Sequence, residues 1–411
     1  MLSDKNKRKL TSVELFAGAG GLALGLDCAG FLHKAVIEWD NWACETIRQN
    51  QTRQFSLASK WPLYQGDVRN FDYSSINEAI DIVSGGPPCQ PFSIGGKHRG
   101  YSDSRDMFPA AIDVVRTLKP RAFIFENVPG LARASFSKYL QYILLRLALP
   151  DETRKATESW PDHYARLERT LISCPRGGLF YQVRVRRLHA ADFGIPQRRV
   201  RLFIVGFRND LGTDWSFPKP THSLDALLTS LWISGDYWEM HKVASKNRPK
   251  PHPRFALRLK ALRKNLALTG DIGSLDKPWR TVRDALVDLP KPYRAISPLG
   301  GVQNHKYQPG ARQYAGHTGS PLDEPAKTLK AGDHGVPGGE NMILLPSGNV
   351  RYFTIRESAR LQTFPDNFIF HGSWTESMRQ LGNAVPVVLA KVMACSIAEK
   401  LGYSLPFKKK S

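Results

Sequence analysis

Short apolar runs alternate with helix-patterned stretches through the first half of the chain, and that alternation constrains the fold more than any other feature. Residues 11–17 (TSVELFA) read as a strand that passes through glycines into a helix ending near Cys28. Residues 33–37 read as a second strand, ending at Glu38, with a helix over 41–50 behind it. Residues 81–84 (DIVS) and 121–125 (RAFIF) are further short buried strands, and 106–118 between them carries helical spacing. Strands joined by helical crossovers lie parallel. The pattern therefore predicts an α/β protein with a doubly wound, mostly parallel sheet. Residues 180–188 and 200–207 read as a later hairpin that extends it.

The character changes after the FPKP of residues 217–220. Residues 241–264 hold nine Lys or Arg and no Asp or Glu, and 309–348 are rich in Gly and Pro turn clusters. Helical periodicity returns at 356–361 and 385–400, and the last helix is expected to pack back on the first domain. The expected division is one domain from 1–225 with 376–411, and a smaller loop-rich domain over 226–375. No internal repeat is visible.

Charge narrows the partners. Lys and Arg number 58 against 37 Asp and Glu, a formal +21, and the pI is near 9.8. Such an excess attracts polyanions, and without a basic amphipathic helix or lipidation signal nucleic acid is favoured over a membrane surface. No apolar run reaches the ~18 residues of a membrane span, and the basic amino-terminal residues lack the apolar core of a signal peptide. The five cysteines form no CxxC pair. Neither a zinc site nor a disulfide framework is indicated, which fits reduced thiols in a cytoplasmic compartment.

Four constellations carry chemistry. Gly18, Gly20 and Ala23 match a loose G-x-G-x-x-G/A pattern between strand and helix, with Glu38 at the end of the next strand. That arrangement suits a nucleoside cofactor, and both NAD and S-adenosylmethionine fit it. Cys89 lies in GGPPCQPFS just beyond a strand, where open α/β sheets place ligands. A free thiol is mostly protonated at neutral pH, so a catalytic one needs a positive neighbour. Glu126 follows RAFIF, as a helix cap or as an acid facing the same cleft. In QRRVR (197–201), strand alternation would put Arg199 and Arg201 on one face and Arg198 on the other. The bland alternative is a solvated edge strand.

Taken in order, these pieces make the chain resemble the cytosine-5 DNA methyltransferase family. FAGAGG, EWD (38–40), GD (66–67), GGPPCQPFS, ENV (126–128), QRRVR, RESARLQTFPD (356–366) and GNAVP (382–386) match its ordered motifs. The resemblance spans 12–216 and 352–400 and fades across about 226–310.

The resemblance implies transfer of a methyl group from S-adenosylmethionine to carbon 5 of a cytosine flipped out of duplex DNA, with no metal. Cys89 would add to carbon 6, Glu126 would hold the N3 and amino edge, Arg201 would contact O2, and Arg199 would sit near thiol and carboxylate. Phe16 and Trp39 would flank the adenine, Glu38 would hold the ribose, and Asp67 the adenine amino group. Gly18, Gly20, Pro88 and Asn383 complete the expected cofactor contacts. Ala384 stands where some relatives have Ser. Ser93, Lys97, Arg99 and Arg105 lie on an expected mobile loop over the flipped base. Thr328, Lys330 and His334 belong to expected recognition loops, and the cations of 241–264 would meet phosphates. The tail at 408–410 is read as solvated. The polar insert over 151–178 is read as surface decoration. The implied setting is a bacterial restriction–modification system, with a cognate endonuclease as functional partner and a monomeric, cytoplasmic enzyme at the nucleoid. A tRNA methyltransferase and an NAD-dependent oxidoreductase are the competing readings; the latter leaves PPCQ, ENV and QRRVR unexplained.

Overall fold

The computed structural model describes residues 8–88, 106–173, 178–212, 214–269, 276–294, 301–331 and 341–403. Its centre is a seven-stranded sheet in the order β3-β2-β1-β4-β5-β7-β6. The strands are β1 (Leu10–Leu15), β2 (Phe31–Glu38), β3 (Leu63–Gln65), β4 (Ile82–Gly85), β5 (Ala122–Asn127), β6 (Tyr181–His189) and β7 (Val200–Arg208). Strands β3 through β5 pair in parallel. The hairpin closes the sheet with β7 antiparallel to both β5 and β6. The chain winds outward from β1 through β2 to β3, then restarts at β4 on the other side. The switch point thus lies between β1 and β4, where such sheets open a crevice at their strand ends.

Helices cover both faces. On one side α3 (Phe108–Leu118) and α4 (Ser137–Ala148) press Ile112, Val115, Ile143 and Leu147 onto Val13, Leu15, Val83 and Phe125. On the other, α1 (Gly21–Cys28) and α12 (Val387–Lys400) press Leu22, Leu26, Leu389, Met393 and Ile397 onto Ile82, Ile124 and Phe203. The α1–α12 contact depends on a missing side chain, since a Cβ on Gly25 would lie 2.3 Å from that of Ala390. The terminal helix does return to the first domain. The stretch Trp374–Lys400 is long and apolar enough for a membrane span by composition, yet 67% of its apolar window is buried in the protein. It comprises α11 (Trp374–Asn383) and α12, separated by residues 384–386.

The second half is built from short pieces. One group is α6 (Leu224–Trp232), α7 (Asp236–Met240) and α8 (Ala256–Thr269), closed over Leu227, Leu231, Trp238, Leu228 and Leu259. The other comprises α9 (Val282–Leu286), a small sheet and α10 (Ile355–Leu361). Here Val282, Leu329, Ile343, Phe353 and Phe368 share one apolar cluster with Ala23, Leu24, Val36 and Ile47 of the first half. Packing is therefore continuous across residue 375, where the sequence reading draws a boundary. The insert forms α5 (Trp160–Ile172), and Arg166 clamps the preceding loop through Glu158 at 2.8 Å and the Thr153 carbonyl at 2.7 Å.

Candidate active site

The loop after β1 turns sharply because Phe16, Gly18 and Gly20 all adopt positive φ, at 55°, 55° and 88°. For Phe16 that conformation is strained, and such strain concentrates at ligand sites. Glu38, at the end of β2, buckles the loop. Its Oε2 accepts from the Gly18 N–H at 2.7 Å, and its Oε1 accepts from the N–H groups of Trp39 and Asp40 at 2.9 and 2.8 Å. Burial pushes the Glu38 pKa up despite these donors. A carboxylate has about four acceptor positions, so one stays open to a further donor. Helix α1 begins directly after this turn, with Gly20 as its N-cap and no side-chain cap for its first N–H groups. Trp39 next door is 75% exposed, an open aromatic face.

The other expected cofactor residues are placed as follows. Asp67 is paired with Arg69, whose Nη2 lies 2.5 Å from its Oδ2, and those bonds hold the carboxyl below its usual range. Asn383 ends α11 with its side chain exposed. Pro88 is exposed at the base of the next loop, its carbonyl accepting from the Met107 N–H at 3.1 Å. The Pro87 carbonyl accepts from Asn127 Nδ2 at 2.9 Å, tying the end of β5 to the loop after β4. Cys89, Ser93, Lys97, Arg99, Arg105, His334 and the 408–410 tail lie outside the described residues. Among the described thiols, Cys44 is unsuited to nucleophilic work, because burial and the nearby Glu38 push it up to about 12.

Beyond the Pro-Pro turn, the ends of β5 and β7 bring together a carboxylate and a guanidinium. Glu126 Oε1 lies 2.7 Å from Arg201 Nε, and the two residues are 7% and 8% exposed. Oε1 has no aligned hydrogen-bond donor despite that contact. On the other side, a Cβ at Gly86 would stand 3.3 Å from Glu126 Oε2, so the loop backbone passes close by. Burial pushes the Glu126 pKa up, and Arg201 and then Arg199 pull it back. A buried pair with an unsatisfied acceptor is poised for a polar ligand edge.

Arg199 lies within charge range of Glu126 and is held by backbone on its other side. Strand β7 begins at Val200, so Arg199 precedes it and does not share its alternation with Arg201. Its guanidinium is wholly buried and donates to three backbone carbonyls: Leu329 at 3.1 Å, Gly382 at 2.7 Å and Ala384 at 2.8 Å. It reaches Glu126 through its charge while bracing the GNAVP turn against the Thr328–Leu329 segment. The sequence reading gave no part to its neighbours in this joint. Gln197 Oε1 accepts from the Leu329 N–H at 3.1 Å, the Arg198 N–H donates to Ala326 at 2.7 Å, and Glu324 takes ion pairs from both Arg198 and Arg254. The Thr328 hydroxyl donates to the Arg198 carbonyl. The backbone N–H of Lys330, the next expected recognition residue, donates to Asn341 Oδ1 at 3.1 Å.

Three arginines of the cationic stretch are held in ion pairs, and a fourth, Arg263, donates to the Trp232 carbonyl at 3.2 Å. Arg248, Arg254 and Arg258 are paired with Glu239, Glu324 and Asp225. Lys242, Lys246, Lys250, Lys260 and Lys264 have no ion pair among the described residues. No cluster of metal-ligating side chains occurs among those residues.

Residues 10–149 and 161–399 match the family model of the C-5 cytosine-specific DNA methylases. The unmatched residues 150–160 cover the loop that Arg166 clamps and the first residue of α5. The type II methyltransferase M.PspPI of a Psychrobacter species is 31% identical over 96% of this chain and 80% of its own length. M.Eco47II of Escherichia coli, also a type II methyltransferase, is 30% identical over 95% and 79%. Among solved structures, the fold of S. pombe Dnmt2 methyltransferase superposes with a TM-score of 0.54 at 16% identity, covering 96% of this chain and 100% of that one.

Proposed function

The chain belongs to the C-5 cytosine-specific DNA methylase family, and from that premise we propose that it methylates carbon 5 of a flipped cytosine within a specific short duplex sequence, with S-adenosylmethionine as donor. The buried Glu126–Arg201 pair, where the end of β5 meets the start of β7, carries this reading. The family match displaces the NAD-dependent alternative.

Carbon 5 of cytosine is a weak nucleophile. The Cys89 thiolate adds to carbon 6, forming an S–C6 bond and moving electron density toward carbon 5. Glu126 holds the N3 and amino edge, and the burial that pushes its pKa up favours the protonated form that can donate to N3. Arg201 meets O2 and holds the carboxyl at the end of β5. Fixed partners in a dry pocket stabilise charge more than water does. Once carbon 5 is methylated, its proton leaves to a base and the thiolate is expelled.

The residues around the β1 turn fit S-adenosylmethionine: Trp39 offers an aromatic face, Glu38 an acceptor for ribose, and α1 uncapped N–H groups. By the resemblance, Phe16 and Asp67 are assigned to the cofactor's adenine end, and Gly18, Gly20, Pro88 and Asn383 to its reacting end. That group supplies a methyl carried on a sulfonium. Arg199 is assigned a positioning part, holding Ala384 and Leu329 in register.

Flipping the base out of a duplex costs a few kcal/mol. The loop with Ser93, Lys97, Arg99 and Arg105 is assigned to closing over it, and the segments around Thr328, Lys330 and His334 to reading base edges in the major groove. The relatives' designation as type II methyltransferases supports a modification enzyme paired with a cognate endonuclease; with it we propose a monomer acting in the bacterial cytoplasm. Bisulfite sequencing of plasmid from expressing cells tests the reading. Protection of cytosines at one recurring motif is expected; complete conversion, with the protein present, would overturn it.

A further inference from the structure

The outer edge of the sheet carries a feature that the reaction does not use. Strand β6 is the last in the order, so one side of its backbone is unpaired among the described residues. From Arg184 to Arg187 every residue is exposed, while the opposite residues of β7, Leu202 to Val205, are buried. Three of those four exposed residues are arginines. Arg184 lies 3.3 Å from the exposed Asp214, and Arg186 and Arg187 have no ion pair among the described residues.

Register fixes where these cations stand. Glu126 pairs with Phe203, and Phe203 with Arg186. Directly paired residues project from the same face of a sheet, so Arg186 emerges on the face that bears Glu126. Arg201, paired with Leu188, shares it. Two strand spacings put Arg186 about 10 Å from Glu126. Arg187 pairs through Leu202 to Asn127 and projects from the opposite face, so the two straddle the edge at the sheet's active end. Arg208, by contrast, pairs with Tyr181 at the far end of the hairpin and is bound to Asp210.

We infer that Arg186 and Arg187 form a phosphate-binding edge that grips the backbone of the substrate duplex beside the flipped cytosine. The inference rests on the proposed function. A duplex carries about one negative charge per 1.7 Å of axis, so a base held by Glu126 brings phosphates within a Debye length, about 8–10 Å, of this edge. Guanidinium groups bind phosphate through paired N–H donors. Charged side chains on an edge strand also prevent edge-to-edge pairing, a purpose that acidic residues serve as well.

The test measures binding of the full-length protein to a duplex of random sequence across a salt series, with methylation assayed in parallel. Arg186→Ala with Arg187→Ala is expected to weaken binding about tenfold or more at low salt and to lower the slope of log K against log salt by about 2. The loss is expected to be equal for target and non-target duplexes, with kcat at saturating DNA preserved. Arg208→Ala is the control and is expected to leave the slope unchanged. Arg186→Glu with Arg187→Glu keeps a charged edge; it is expected to stay soluble and to lose still more affinity. An unchanged slope in the alanine double variant, with the wild type methylating DNA, would overturn the inference alone. A wild type that neither binds nor methylates DNA would overturn the proposed function, and the inference with it.

Discussion

Replacing Glu14 by Gln is expected to stabilise the protein, and increasingly so as pH rises from 5 to 8. Glu14 sits on β1 with 1% exposure, directly paired with Ser84 of β4, whose hydroxyl is its hydrogen-bond partner. Burial pushes its pKa from the ordinary 4.5 to about 8, only partly offset by that hydroxyl. Between those two values the folded chain holds a proton that the unfolded chain has released. Stability therefore falls by about 1.4 kcal/mol per pH unit from this one group. The contribution is fully present below 4.5 and is lost as pH rises through about 8. At pH 7 the penalty is about 3 kcal/mol, and it grows by roughly 2–3 kcal/mol between pH 5 and pH 7. Glutamine keeps the shape and the bond to Ser84 but does not titrate. Urea denaturation of both proteins at pH 5, 6, 7 and 8 measures the difference. A gap that stays constant with pH, or that reverses sign, would refute the assignment of a protonated, buried Glu14.

Other expectations follow from the site. Arg199→Lys leaves buried carbonyls among Leu329, Gly382 and Ala384 unsatisfied. It should cost about 3 kcal/mol in denaturant melts, since each orphaned buried group costs about 1–3 kcal/mol. Trp39→Ala removes a ring that is 75% exposed, so calorimetry should show at least tenfold weaker S-adenosylmethionine binding while stability changes by less than about 0.5 kcal/mol. Exchanging residues 311–350 for those of another family member should change the sequence methylated, read by bisulfite sequencing; an unchanged target would move recognition elsewhere.

The parallel strands were legible because burial on both faces writes them as short apolar runs. Strands β1, β2, β4 and β5 stand within two residues of their expected positions, and the hairpin appears as expected. Strand β3 is only three half-exposed or exposed residues, too few for any period to register. Helix α4 is hidden in a run, YILLRLA, whose near-continuous apolar character does not separate helix from strand. In α8 the exposed Leu257 and Leu268 and the buried Leu259 mark no single face. All six residues of β1 are buried, the polar Ser12 and Glu14 included, because α12, from the far end of the chain, covers that side together with α1. For the same reason the part played by Arg199 was not readable: its three acceptors lie 130 to 185 residues further on.

The central claim is that Cys89 makes a covalent bond to the cytosine it helps to methylate. A duplex bearing 5-fluorocytosine at the target blocks loss of the carbon 5 substituent, so the adduct persists. Incubated with this duplex and S-adenosylmethionine, the enzyme is predicted to yield a denaturation-resistant complex of one protein and one strand, with the DNA attached to the peptide containing Cys89. The Cys89→Ala variant is predicted to yield none. Methylation of the natural duplex at full rate by that variant, or attachment at another residue, would contradict the account.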